Sequence, residues 1–92
     1  MAEPHSHVSH EAVAKRLRRA HGHLQNVITM LSQDRACLDV AQQLHAVERA
    51  VSAAKKQLIH DHIDFCLDNS LGAAASSSRR VLDEFKAITK YL

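Results

Sequence analysis

The chain has little of what most catalytic or secreted domains rely on. Among its 92 residues there is no Trp, one Tyr, two Phe, two Gly, one Pro and two Cys. With so few aromatic residues, any core must come from Leu, Val, Ile and Ala, the composition of packed helices. Interleaved aromatics that would stack on single-stranded nucleic acid are also missing. The scarcity of Gly leaves no Gly-rich loop to cradle phosphate, and no nucleophile, base and orienting acid fall in a recognisable motif, so an enzyme is not expected. Two cysteines are too few for a secretory disulfide framework. No apolar run approaches transmembrane length and no signal-like apolar region follows the first residues, so a soluble cytoplasmic protein without membrane association is expected.

What is present is helical periodicity. Val13, Leu17, Ala20, Leu24, Val27 and Leu31 are spaced 4, 3, 4, 3 and 4, which predicts a first helix over about residues 10–32 with Ser9 as its N-cap. "SQDR" interrupts that pattern, and Asp34 can cap a second helix that holds Cys37 in its first turn. Leu44, Val47, Val51, Ala54, Leu58 and Phe65 continue it, with no Gly or Pro from residue 35 to 69. Such a helix is roughly 50 Å long at about 1.5 Å per residue. It overhangs anything one short chain can fold around it, so an obligate oligomer is expected. Gly72 in "NSLGAAASSS" should end it, the Ser run should cap a short third helix, and Val81, Phe85, Ile88 and Leu92 give that helix one apolar face. The expected fold is all-α: two long antiparallel helices and a short C-terminal one. Residues 1–8 are expected to form a flexible His-rich arm and residues 9–92 a single domain.

The segment "HDHIDFC" places His62 and Cys66 four residues apart, one above the other on a helix and able to share a metal ion. Cys37 precedes His62 by 25 residues and, at about 100° per residue, points within about 20° of both. Along one helix it is roughly 38 Å away, so only a second chain packed antiparallel can bring it to them, making two equivalent sites by two-fold symmetry. The plain alternative is a buried free thiol and a hydrogen-bonded core histidine, because His-x3-Cys alone is a weak motif. His5 and His7 could fold over the site as further nitrogen ligands or belong to a solvated tail.

Charge is nearly balanced, 12 basic against 10 acidic residues, but it is segregated. "KRLRR" puts Lys15, Arg16, Arg18 and Arg19 on faces of the first helix away from Leu17, Leu24 and Leu31, with no acidic residue between Glu11 and Asp34. Repeated over several chains, this ridge could hold duplex DNA in a salt-dependent manner, with Arg49, Lys55 and Lys56 extending it. A merely solvated helix face is the alternative.

"RLRRAHGHLQ", "ACLDVAQQLHAV" and "LIHDHIDFC" together resemble the CsoR/RcnR family of small helical metal-sensing repressors, from about residue 9 to 92. The resemblance implies a homodimer with a four-helix-bundle core that assembles into a flat dimer-of-dimers tetramer. It also implies operator binding in the metal-free state, and release when metal enters an intersubunit site made by Cys37, His62 and Cys66. The genes controlled in that family are typically metal exporters. In members that sense nickel or cobalt, a histidine stands 32 residues before the first Cys, the place of His5 here. Copper(I) sensors commonly carry Tyr where this chain has Ala36. The resemblance therefore points first to Ni(II), then Co(II), with His7 as a further donor. Cu(I) sensing through Cys37, His62 and Cys66 with His5 idle is the alternative, as is a metal-buffering bundle without DNA binding. By donor type Zn(II) also fits.

Overall fold

A computed structural model describes the backbone of residues 4–70 and 75–92 and the side chains of residues 10–65, 79–80 and 82–92. The described residues contain three helices: α1 (Pro4–Ser32), α2 (Cys37–Ser70) and α3 (Ala75–Thr89). α1 packs along α2 and, among the described residues, α3 packs on α2 alone. The all-α, three-helix reading holds, whereas several boundaries differ. α1 begins at Pro4, before Ser9, and takes His5 and His7 into its first turns. α3 begins before the Ser run rather than after it, and Gly72 lies outside the described residues.

The link between α1 and α2 corrects the expectation for Asp34. Asp34 has φ 58°, the left-handed conformation that closes a helix. The Asp34 N–H donates to the Leu31 carbonyl at 3.4 Å and the Arg35 N–H to the Met30 carbonyl at 3.2 Å. This pair of bonds satisfies the last carbonyls of α1, so Asp34 terminates α1 and does not cap α2. Instead, the Val40 N–H donates to the Ala36 carbonyl at 3.1 Å. Ala36 thus stands at the N-cap of α2, where it offers no side-chain acceptor.

Burial divides the heptad pattern into two columns. Val13, Ala20 and Val27 of α1 and Val40, Val47 and Ala54 of α2 are buried, and Val27, Val40 and Val47 form one cluster with Met30 against it. The seven-residue spacing of each set places it along one side of its helix, and the small side chains let the two backbones lie close. The other half of the expected seam is left outside: Leu17, Leu24 and Leu31 on α1, Leu44 and Val51 on α2, and Ile28 and Leu38 are exposed. On α3, Phe85 and Ile88 are half-buried, but Leu92, expected on the packed face, is exposed.

The three-helix chain measures 59 × 24 × 15 Å. Its radius of gyration of 18.0 Å far exceeds the roughly 12 Å of a compact chain this long. Two helices side by side have one line of contact, which cannot cover an apolar stripe wider than that line. A second connection across the hairpin is polar: His23 Nε2 lies 2.7 Å from Gln43 Oε1.

Candidate metal centre

α2 is one uninterrupted helix of 34 residues with Cys37 as its first. Cys37 is exposed and reduced. His62 lies 25 residues further on, roughly 38 Å along the axis at about 1.5 Å per residue. Cys66 follows one turn later in the same helix. Among the described residues no group of three or more His, Cys, Asp or Glu side chains converges within the chain. Cys37 and His62 are thus brought to opposite ends of the same rod. His5 and His7 lie at the start of α1.

The surroundings of His62 are the most informative part of the site. Its side chain is 27% exposed and its Nε2 lies 3.3 Å from Glu84 Oε1 of α3. That nitrogen is shut off from solvent yet meets no hydrogen-bond geometry among the described residues, and the contact is therefore one of proximity. The Phe65 ring stands 6.4 Å from the imidazole at 50°. An imidazole nitrogen shut off from solvent calls for a polar partner, and a carboxylate beside Nε2 is the kind of neighbour that favours the proton on that nitrogen and leaves Nδ1 free to donate its lone pair. The fit to a thiophilic metal rests on this arrangement and on the thiol and imidazole donor set. The approach of Glu84 to His62 was not legible from sequence. It lies 22 residues beyond His62 on a different helix, and only the packing of α3 on α2 brings them together.

The basic residues separate into two groups. Lys15, Arg16, Arg18 and Arg19 are all exposed, and Arg18 approaches Glu11 at 3.9 Å, both side chains largely in solvent. Arg49, Lys55 and Lys56 are exposed on α2. At about 100° per residue, Arg49 and Lys56 point roughly 160–180° from Val40, the side packed on α1. On α1, Lys15 and Arg18 point about 140–160° from the middle of the buried Val13, Ala20 and Val27 column and Arg19 about 100°, whereas Arg16 lies only about 40° from it, so Lys15 and Arg18 stand on the edge of the hairpin opposite Arg49 and Lys56. His45 lies 3.6 Å from Glu48 on its own helix, in solvent. None of the helices in the described residues is long and apolar enough to cross a membrane.

The sequence model of the metal-sensitive transcriptional repressor family matches residues 9–91, the segment that holds the ridge, Cys37, His62, Cys66 and Glu84. The chain belongs to this family. Among curated relatives, the copper-sensing transcriptional repressor CsoR of Mycobacterium ulcerans (strain Agy99) is 32% identical over 77 residues, covering 82% of this chain and 66% of that protein. CsoR of Bacillus subtilis (strain 168) is 29% identical over 82 residues, covering 87% of this chain and 81% of the relative. The copper-sensing repressor RicR of Mycobacterium tuberculosis (strain ATCC 25618 / H37Rv) is 30% identical over 74 residues, covering 80% and 77%. The chain thus spans just under two thirds of the length of the mycobacterial CsoR proteins. No solved structure matches.

Proposed function

We propose that this chain is a metal-responsive transcriptional repressor that binds operator DNA when metal-free and releases it on binding copper(I), derepressing metal efflux genes. The observation that carries the reading is the placement of Cys37 and the His62–Cys66 pair at opposite ends of one continuous helix. Donors so placed can form a site only when two α2 helices lie antiparallel, Cys37 of one beside His62 and Cys66 of the other. The exposed leucine columns supply an apolar surface for that pairing, giving a homodimer with a four-helix core and, by further association, a tetramer.

The sequence pointed first to nickel(II) or cobalt(II). The matched relatives bear the names of copper sensors, and two thiolates with one imidazole suit copper(I) without any further ligand. Copper(I) therefore replaces nickel(II) as the effector proposed. Nickel(II) stays as the second reading because His5 stands 32 residues before Cys37. In that reading His5, with or without His7, completes a four-donor site. Zinc(II) has no separate observation in its favour.

In this proposal Glu84 holds the proton on His62 Nε2, so that Nδ1 faces the incoming metal. Cys37 joins the site from the start of the partner's α2, next to the turn that ends α1. Engagement of Cys37 thereby constrains that turn and, through the stiff α1, the ridge at residues 15–19. Derepression needs a coupling of roughly 1–3 kcal/mol, five- to 150-fold in DNA affinity.

The test is anaerobic titration of the reduced protein, bound to a fluorescent duplex, with copper(I) and with nickel(II). Wild type and His5→Ala should both lose the duplex at one copper(I) per chain, while Cys66→Ala should retain it. Release by nickel(II) alone, abolished in His5→Ala, would replace copper(I) by nickel(II). Failure of both metals to release the duplex would reject metal-sensing repression.

A further inference from the structure

Gly22 lies in the middle of α1, a 29-residue helix, where glycine is the poorest helix former other than proline. Nothing in the chain requires it. Its backbone is not in the positive-φ region, it is exposed, and a Cβ built on it meets nothing within 4 Å. Neither conformation nor packing inside the protomer accounts for the missing side chain. What remains is the approach of something from outside.

The direction Gly22 faces identifies that visitor. At about 100° per residue, Lys15, Arg18, Arg19, Gln25, Asn26 and Thr29 all lie within about 60° of it. All six are exposed. The buried column of Val13, Ala20 and Val27 and the exposed column of Leu17, Leu24 and Leu31 both point about 140–180° away. A second copy of the chain, drawn to the leucines, would leave Gly22 untouched. The surface around Gly22 is cationic and amide-bearing, with Glu11 beside Arg18 at its far, N-terminal end, and contains no apolar side chain larger than the methyl of Thr29.

We infer that Gly22 is the point at which the sugar–phosphate backbone of duplex DNA approaches α1 most closely, a gap that lets the strand settle between Arg18 and Arg19 on one turn and Gln25 and Asn26 on the next. The inference rests on the DNA-binding reading above and extends it. Cationic side chains alone attract a polyanion at any spacing, and many conformations of long Lys and Arg side chains satisfy it. A gap in the side-chain surface fixes where along α1 the strand lies. Gly22 is thus a positioning residue, setting the register in which the flanking donors reach phosphates and base edges.

The test uses full-length protein, metal-free and reduced, with a fluorescein-labelled duplex enriched from a random-sequence pool by the wild type. Gly22→Ala and Gly22→Gln both place better helix formers at an open position, so both should melt at or above the wild-type temperature. The expected result is a graded loss of duplex affinity, at least tenfold for Ala and larger for Gln, with assembly and metal stoichiometry unchanged. Wild-type affinity in both variants overturns the inference and leaves the DNA-binding reading intact. A lower melting temperature or altered assembly overturns it too, by placing Gly22 in packing. If the wild type enriches no duplex and Arg19→Ala changes nothing, the DNA-binding reading itself fails and the inference with it.

Discussion

Replacing Leu24 and Leu44 together by Ala tests whether the outer columns are the interface of an assembly or a solvated face. The two residues lie on facing turns of α1 and α2, beside the His23–Gln43 contact, and are 38% and 48% exposed. Full burial of a Leu side chain is worth about 1.5–3 kcal/mol, so covering the exposed fraction of these two contributes roughly 1.3–2.6 kcal/mol per chain. An isologous dimer counts each substitution twice, giving about 3–5 kcal/mol per dimer, or roughly a hundredfold to a few thousandfold in dissociation constant. Sedimentation equilibrium over a wide concentration range reads this directly, and the melting temperature should become more concentration-dependent in the variant. If the columns were solvated, sedimentation would match the wild type and the stability change would be limited to the part of each side chain already buried in the hairpin. Unchanged association in the double variant would refute the pairing of antiparallel α2 helices and, with it, the shared metal site.

Two further predictions concern single positions. Asp34→Gly removes the steric cost of a left-handed residue while keeping the closing bonds of α1; it should raise stability by about 0.5–1 kcal/mol, and a lower thermal midpoint would contradict the assignment of Asp34 to the end of α1. Glu84→Ala touches a side chain that is 61% exposed, so folding should change little. Metal affinity, measured against a competing chelator, should fall about ten- to a hundredfold if the carboxylate orients His62. Wild-type affinity would remove Glu84 from the site.

Periodicity carried most of the fold. The spacing of apolar residues on α1 and α2 located both helices and their shared seam, because a stripe at 3.6-residue spacing can be buried only on a helix. It did not divide that seam. Leu17 and Val13 look equivalent in sequence, yet Val13 is buried and Leu17 is 42% exposed, a difference set by which flank of α1 meets α2. End signals were less legible. Ser9 and the Ser run are good N-caps, but the helices extend past both, since a capping side chain favours a start without forbidding an earlier one. Asp34 suits a helix start and a left-handed helix end equally well, and the hydrogen bonds of the turn decide for the end.

The site divides along the same line. Cys37, His62 and Cys66 could be singled out because their spacing is fixed by one helix, and the structure keeps them on one helix. Glu84 and Gln43 could not, since each meets its histidine only through contact between helices.

This division bears on how sensing would work. If Cys37, His62 and Cys66 are the ligands proposed, donors at the two ends of one α2 cannot respond to metal by moving relative to each other, because the helix between them is stiff. A response must come from the relation between chains and from the elements attached at each end: the turn at residues 33–36 beside Cys37 and α3 beside His62. The turn leads directly into α1, whose polar outer face carries Arg18, Arg19 and Gly22. On the proposed reading, a shift of that turn moves this face as a unit. Even a small rotation of α1 would then carry the gap at Gly22 off the strand, so a helix too stiff to change shape can still change its grip on DNA.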